Sequence, residues 1–153
     1  MILRSLLLLA VLAVLSVSVL APPRPAAAGD REFMAKLVAQ TFFRALLEGT
    51  VETALPLCSK RVNLDGTWVE DPGVLERRLR AMSVHAREQG VRLTRVTVLP
   101  HGVVVRRFGP PPARLRGATG PGRLVALARF NTAGAVAVLR RTGAFWKVVA
   151  VTD

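Results

Sequence analysis

The chain has 153 residues, 51% of them hydrophobic, with 22 Lys and Arg against 10 Asp and Glu, for a formal charge of +12. One cysteine excludes a disulfide within the chain, and the absence of tyrosine excludes chemistry that rests on a tyrosyl hydroxyl. Between Gln89 and Thr152 there is no Asp or Glu but ten Arg and one Lys, which points this half toward an anionic partner, although a general bias toward Arg accounts for the same count.

The start reads as a targeting segment. Arg4 precedes an apolar run from Leu6 to Leu20, and small residues follow at Ala26, Ala27 and Ala28. This layout predicts a signal peptide over residues 1–28, cleaved after Ala28, with the protein periplasmic or extracellular. A lipoprotein would need a cysteine at the cleavage point and twin-arginine export a second Arg beside Arg4; neither is there. An uncleaved membrane anchor is the alternative, which Pro22, Pro23 and Pro25 disfavour. Residues 29–153 then form a single domain carrying +10, since the leader takes away only Arg4 and Arg24.

A helix is expected from Asp30, which caps it, to Gly49, which stops it, with an apolar stripe of Phe33, Leu37, Val38, Phe42, Ala45 and Leu46. Thr50 begins a short second helix, limited by Pro56. Cys58 follows in an apolar context and reads as a small buried hydrophobe rather than a reactive thiol. Val62 to Val69 forms a hairpin around Asp65-Gly66, a pair suited to two turn positions of positive φ. Asp65 is therefore a turn residue first and a candidate acid or base second.

Asp71-Pro72 opens a third helix, whose buried face is expected to be Leu75, Leu79, Met82 and Ala86, and Gly90 closes it. His85 lies beside that stripe with no carboxylate placed to orient it. From Val91 the period becomes two: Val91–Leu99 and Val103–Phe108 read as strands joined through Pro100-His101-Gly102. Gly109 to Gly122 is too rich in Pro and Gly for regular structure and reads as a disordered stretch or a flap. Leu124–Phe130 is the next strand.

Gly134 to Asp153 reads as a closing hairpin turning at Thr142-Gly143. That register places Ala135, Ala137 and Leu139 with Trp146, Val148 and Ala150, and Val136 and Val138 with Lys147, Val149 and Val151. Both faces are largely apolar, so both need a cover: helices on one, a second copy or a ligand on the other.

Helices first and a meander second define an α+β layout, with N-terminal helices packed on a curved antiparallel sheet. The long first helix, the Thr50–Leu57 helix, the Val62–Val69 strand, the Asp71–Gln89 helix and the ending AVAVLRRTGAFWKVVAVTD together resemble the nuclear transport factor two-like superfamily. The resemblance implies a cone-shaped pocket between helices and concave sheet, and a homodimer through the sheet. It does not bring chemistry with it. The isomerases of that superfamily use a carboxylate base and a tyrosine, which this chain lacks, and the Asp, Arg and Asn set of its epoxide hydrolases has no matching positions here.

The large pocket-wall candidates are Phe42, Trp68, Phe130 and Trp146, residues that core packing explains as well. Gly117 to Leu124 has the glycine spacing of a phosphate loop without its Lys or Ser/Thr. His85, His101 and Cys58 lack metal-ligand spacing, so neither metal nor cofactor is expected. The expectation is an exported, non-enzymatic domain binding a small apolar or anionic ligand or a partner protein. Its alternatives are an isomerase or hydrolase of a small hydrophobic substrate using Asp65, Asp71 or His85, and adhesion of the basic half to an anionic envelope surface. Nucleic acid is not an expected partner of an exported protein.

Overall fold

The computed structural model describes residues 28–153. The expected leader therefore lies outside the described residues except for Ala28. Among these residues the order is α1 (Ala28–Glu48), α2 (Val51–Ala54), a 3-10 turn (Leu55–Leu57), β1 (Cys58–Leu64), β2 (Thr67–Val69), α3 (Pro72–Glu88), β3 (Leu93–Pro100), α4 (His101–Phe108), a second 3-10 turn (Ala113–Leu115), β4 (Leu124–Phe130), β5 (Gly134–Thr142) and β6 (Phe145–Thr152). The strands form one six-stranded sheet in the order β2-β1-β6-β5-β4-β3. All neighbours are antiparallel except β1 and β6, which run parallel, so the α+β sheet is mixed.

Most punctuation signals hold, but Asp30 does not cap the first helix: α1 already runs from Ala28, and Asp30 sits inside its first turn. Asp71 Oδ1 accepts a hydrogen bond from the Val74 amide at 2.7 Å, capping α3 ahead of Pro72. Gly49, just past α1, has φ 84°, the left-handed conformation that lets a helix end there. Asp65 and Gly66 have φ of 50° and 90° and turn β1 back into β2.

The buried face of α1 differs from the predicted stripe. Ala35, Ala39, Phe42, Phe43, Ala45 and Leu46 are buried, whereas Phe33 and Leu37 are exposed and Val38 is half-buried. Two positions along a helix turn by about 200°, so Phe33 and Leu37 lie opposite Ala35. Ala35 and Ala39 share one core cluster with Ala126 and Ala137 of the sheet, and small residues on both sides let helix and sheet approach closely. Phe42 is completely buried there, a burial that contributes about 1.5–3 kcal/mol. On α3, Leu75 and Leu79 are buried as expected, but Ser83 completes that face and Met82 is exposed.

Val103–Phe108 is not a strand. It belongs to α4, stopped by Gly109 at φ 87°, whose amide donates to the Val105 carbonyl at 2.9 Å. Valine's preference against helix is only a few tenths of a kcal/mol per residue, and half-burial of Val103, Val104 and Val105 outweighs it. Arg106 and Arg107 in the last turn favour the helix C-terminus.

The closing hairpin turns one residue later than predicted. Thr142 pairs with Phe145, leaving Gly143 and Ala144 as the turn. A bulge then intervenes: Leu139 opposes Val148, but Val138 opposes Ala150, so Val149 is an extra residue. Its effect is to exchange the two faces beyond it. Val151 joins Ala137, Leu139 and Val148 under the helices, while Ala150 and Val149 join Val138 on the outer face. The cover for that outer face comes from the chain itself. Leu115 and Ala118, each 1% exposed, pack on Val138, Val149 and Ala150, so Gly109–Gly122 is a lid glued to the sheet rather than a free loop.

Candidate functional site

Ala126 opposes Ala137 and Ala128 opposes Ala135 across β4 and β5. Ala126, Ala128 and Ala137 are buried in the core, while Ala135 lines a cleft of about 680 Å³ between α1, α3 and the sheet. Phe43 and Leu46 of α1, Met82 of α3, Phe130 of β4, Ala135 of β5 and Val151 of β6 supply apolar wall. Phe43 meets Phe130 edge to face, with centroids 5.7 Å apart, and meets Phe42 in the same way at 5.5 Å.

Asp65, His85, Gln89, Thr152 and Asp153 also line the cleft, and all of them except Thr152 are exposed to solvent. The Asp65 carboxylate is fixed: Oδ1 accepts from Thr152 Oγ1 at 2.7 Å and from Arg114 Nη1 at 2.9 Å. Arg114 also donates to the Asp153 carbonyl and stands 3.7 Å from its carboxylate. Asn63, buried beneath, orders the same corner from below. Its Nδ2 donates to the Arg114 carbonyl at 3.0 Å, and its Oδ1 accepts from the Gly66 amide at 2.7 Å. The lid is thus tied to the β1–β2 turn twice, by Asn63 to the Arg114 carbonyl and by the Arg114 side chain to Asp65, and the turn holds Asp65 at the cleft.

Of the predicted pocket walls, only Phe130 lines this cleft. Phe42 faces the core. Trp68 packs under the lid against the Leu115 cluster, with the Arg61 guanidinium 4.6 Å above its ring. Trp146 packs half-buried at the margin of the main core. Phe43, which the predicted α1 stripe left out, is buried beside Phe42 in the core and also lines the cleft. Among the catalytic candidates, Asp65 and His85 both line the cleft, whereas Asp71 is spent on its helix cap.

The Cys58 thiol is pushed up to about 12 by burial, partly opposed by Lys147, so it is protonated at neutral pH. Among the described residues no three His, Cys, Asp or Glu gather as metal ligands, and no helix is long and apolar enough to cross a membrane.

Comparison with known proteins places the fold. No family model and no curated sequence matches the chain. Among solved structures, a proposed dehydratase of the NTF2-like (nuclear transport factor two-like) family from Streptomyces avermitilis matches with a TM-score of 0.50 at 14% identity, over 80% of this chain and 94% of that one. An NTF2-like protein of unknown function from Pseudomonas putida matches at 0.49 and 10% identity, over 81% and 85% of the two chains. One from Novosphingobium aromaticivorans, described as having a cystatin-like fold, matches at 0.48 and 13% identity, over 80% and 79%. The chain has the NTF2-like α+β fold. At these identities the likeness concerns the fold alone.

Proposed function

We propose that the protein is an exported binding domain whose cleft holds a small, largely apolar molecule bearing a hydroxyl or amine donor. The observation that carries this reading is the composition of the cleft, apolar on three sides with a fixed carboxylate at one end. Such sites bind by apolar burial and orient by a few polar groups. Asp65 and Asp153, both paired with Arg114, put carboxylate oxygens rather than free cations on the cleft, which suits neutral or donor-bearing molecules. Export rests on the leader pattern of residues 1–28.

Ala135→Trp fills the cleft without replacing its polar residues. Titration with the neutral apolar fluorophore N-phenylnaphthylamine is expected to give saturable binding that Ala135→Trp abolishes. Equal fluorescence gain in both proteins, or none in either, would contradict the binding reading.

A second reading is favoured by one observation, that Asp65 and His85 share the cleft. An isomerase or hydrolase of a small hydrophobic substrate would use His85 for proton transfer, with Asp65 positioned by Arg114 and Thr152. Asp65 already accepts two hydrogen bonds, which suits a carboxylate that orients better than one that takes protons. That balance places binding ahead of catalysis.

A further inference from the structure

The outer face of the sheet carries a row of cations remote in character from the cleft. Arg140 and Lys147 are directly opposed in the β5–β6 ladder. Leu124 opposes Leu139, so Arg123, one residue before β4, continues the register opposite Arg140. Three positive side chains therefore stand abreast on β4, β5 and β6. Like charges directly opposed across strands are destabilising.

No acid relieves them. The ion pairs among the described residues engage Arg61, Arg80 and Arg114, with Glu70, Glu52, Glu76, Asp65 and Asp153 as their partners. The row has only neutral acceptors: Arg140 Nη2 donates to Ser59 Oγ at 3.0 Å, and Lys147 Nζ donates to the Pro56 carbonyl. Arg123 Nη1 is buried and has no hydrogen-bond partner among the described residues. Burial, and after it the charge of Arg140, holds the Arg123 guanidinium below its ordinary pKa. A second like pair, Arg95 opposite Arg129, lies elsewhere on this face, but both side chains are exposed and water screens them. Only the Arg123 row combines opposed cations with a buried, unused donor.

We propose that Arg123, Arg140 and Lys147 form a binding site for a phosphate group. The Arg123 and Arg140 guanidinium groups, close enough for the charge of one to act on the other, offer forked donors to the oxygens of one tetrahedral anion, and the Lys147 ammonium supplies a third charge. A dianion with several acceptor oxygens matches three cations, whereas a carboxylate is satisfied by one bidentate arginine. The donor that Arg123 leaves unused is then filled, and the mutual repulsion of the row becomes attraction to a shared counterion. A free phosphate or phosphate ester and the phosphomonoester headgroup of a lipid present the same chemistry to this row.

The test uses the full chain. Inorganic phosphate is titrated against sodium chloride at matched ionic strength while thermal unfolding is followed, and binding to phosphatidylcholine vesicles doped with phosphatidic acid is measured by co-sedimentation. Phosphate is expected to raise Tm saturably. Arg140→Gln, at an exposed position, and Arg123→Gln weaken that response by about tenfold or more. Arg140→Lys, which keeps the charge and loses the fork, falls between. Arg77→Gln on the exposed side of α3 and the cleft-filling Ala135→Trp leave it unchanged, so failure of the cleft reading and of this one are separable. Phosphate stabilisation without vesicle binding assigns the site to a soluble phosphate; vesicle binding that inorganic phosphate displaces assigns it to a headgroup. A Tm shift no larger than chloride gives, or one equal in wild type and Arg140→Gln, would overturn the proposal.

Discussion

Asp65 shows how one residue is committed by its backbone before its side chain is considered. Its φ of 50° is the only positive value among the described non-glycine residues, and the turn it makes aims a carboxylate at Arg114 and Thr152. Aspartate tolerates that conformation better than most residues. Cys58 is the opposite case, a group whose chemistry is silenced by place. Burial raises its pKa from 9.0 to about 12. The sign follows: the protonated thiol is favoured in the folded state, so this contribution to stability is whole below pH 9.0 and is lost as pH rises toward 12. At pH 8, iodoacetamide is expected to alkylate Cys58 far more slowly in the folded protein than in urea; equal rates would show an open site. The sequence revealed Cys58 as a buried hydrophobe through its Ala54-Leu55-Pro56-Leu57 context. It did not reveal that Phe43 is buried beside Phe42, because which residues of a helix are buried is settled only by the angle at which the helix is laid on its sheet.

At the scale of elements, the lid from Gly109 to Gly122 is held by few contacts. Leu115 and Ala118 fill the outer-face cluster, and Asn63 ties the Arg114 carbonyl. Leu115→Ala is expected to cost about 2–5 kcal/mol, read as a lower urea midpoint with unchanged slope. It should also speed tryptic cleavage after Arg114 and Arg116 in native buffer. Unchanged cleavage together with an unchanged midpoint would show that the lid is not anchored there. Helix boundaries were legible because Asp71, Gly49 and the Asp65-Gly66 turn act locally. The α4 helix was not, since three consecutive valines favour a strand and only their half-burial in the folded chain offsets the preference. Nor was the bulge at Val149, which depends on what each face of β6 must meet. A single extra residue there decides that Val151 rather than Ala150 lines the cleft. The cleft's apolar character was therefore readable from composition, and its actual walls were not.

At the scale of the molecule, charge sets the conditions under which the fold is comfortable. With +12 overall and ion pairs confined to Arg61, Arg80 and Arg114 among the described residues, self-repulsion opposes compactness. Raising sodium chloride from low to physiological concentration is expected to raise Tm by roughly 2–6 °C through screening. A falling Tm would mean that attractive pairs outweigh repulsion.

The sheet order also has a consequence for the time course of biosynthesis. Strand β6 follows the other five in sequence, yet it lies third in the sheet, with β1 on one side and β5 on the other. While a ribosome is still making residues 145–152, the β1–β2 hairpin and the β3–β4–β5 meander have no strand to join them. The two halves must wait as separate pieces, each exposing an open edge, until the final strand emerges and is inserted between them in one closing step. From the making of Thr142 until β6 is available, a nascent chain of this protein is thus two unfinished sheets. Cleft and cation row alike come into being only when β6 arrives, bringing Val151 and Thr152 to the one and Lys147 to the other.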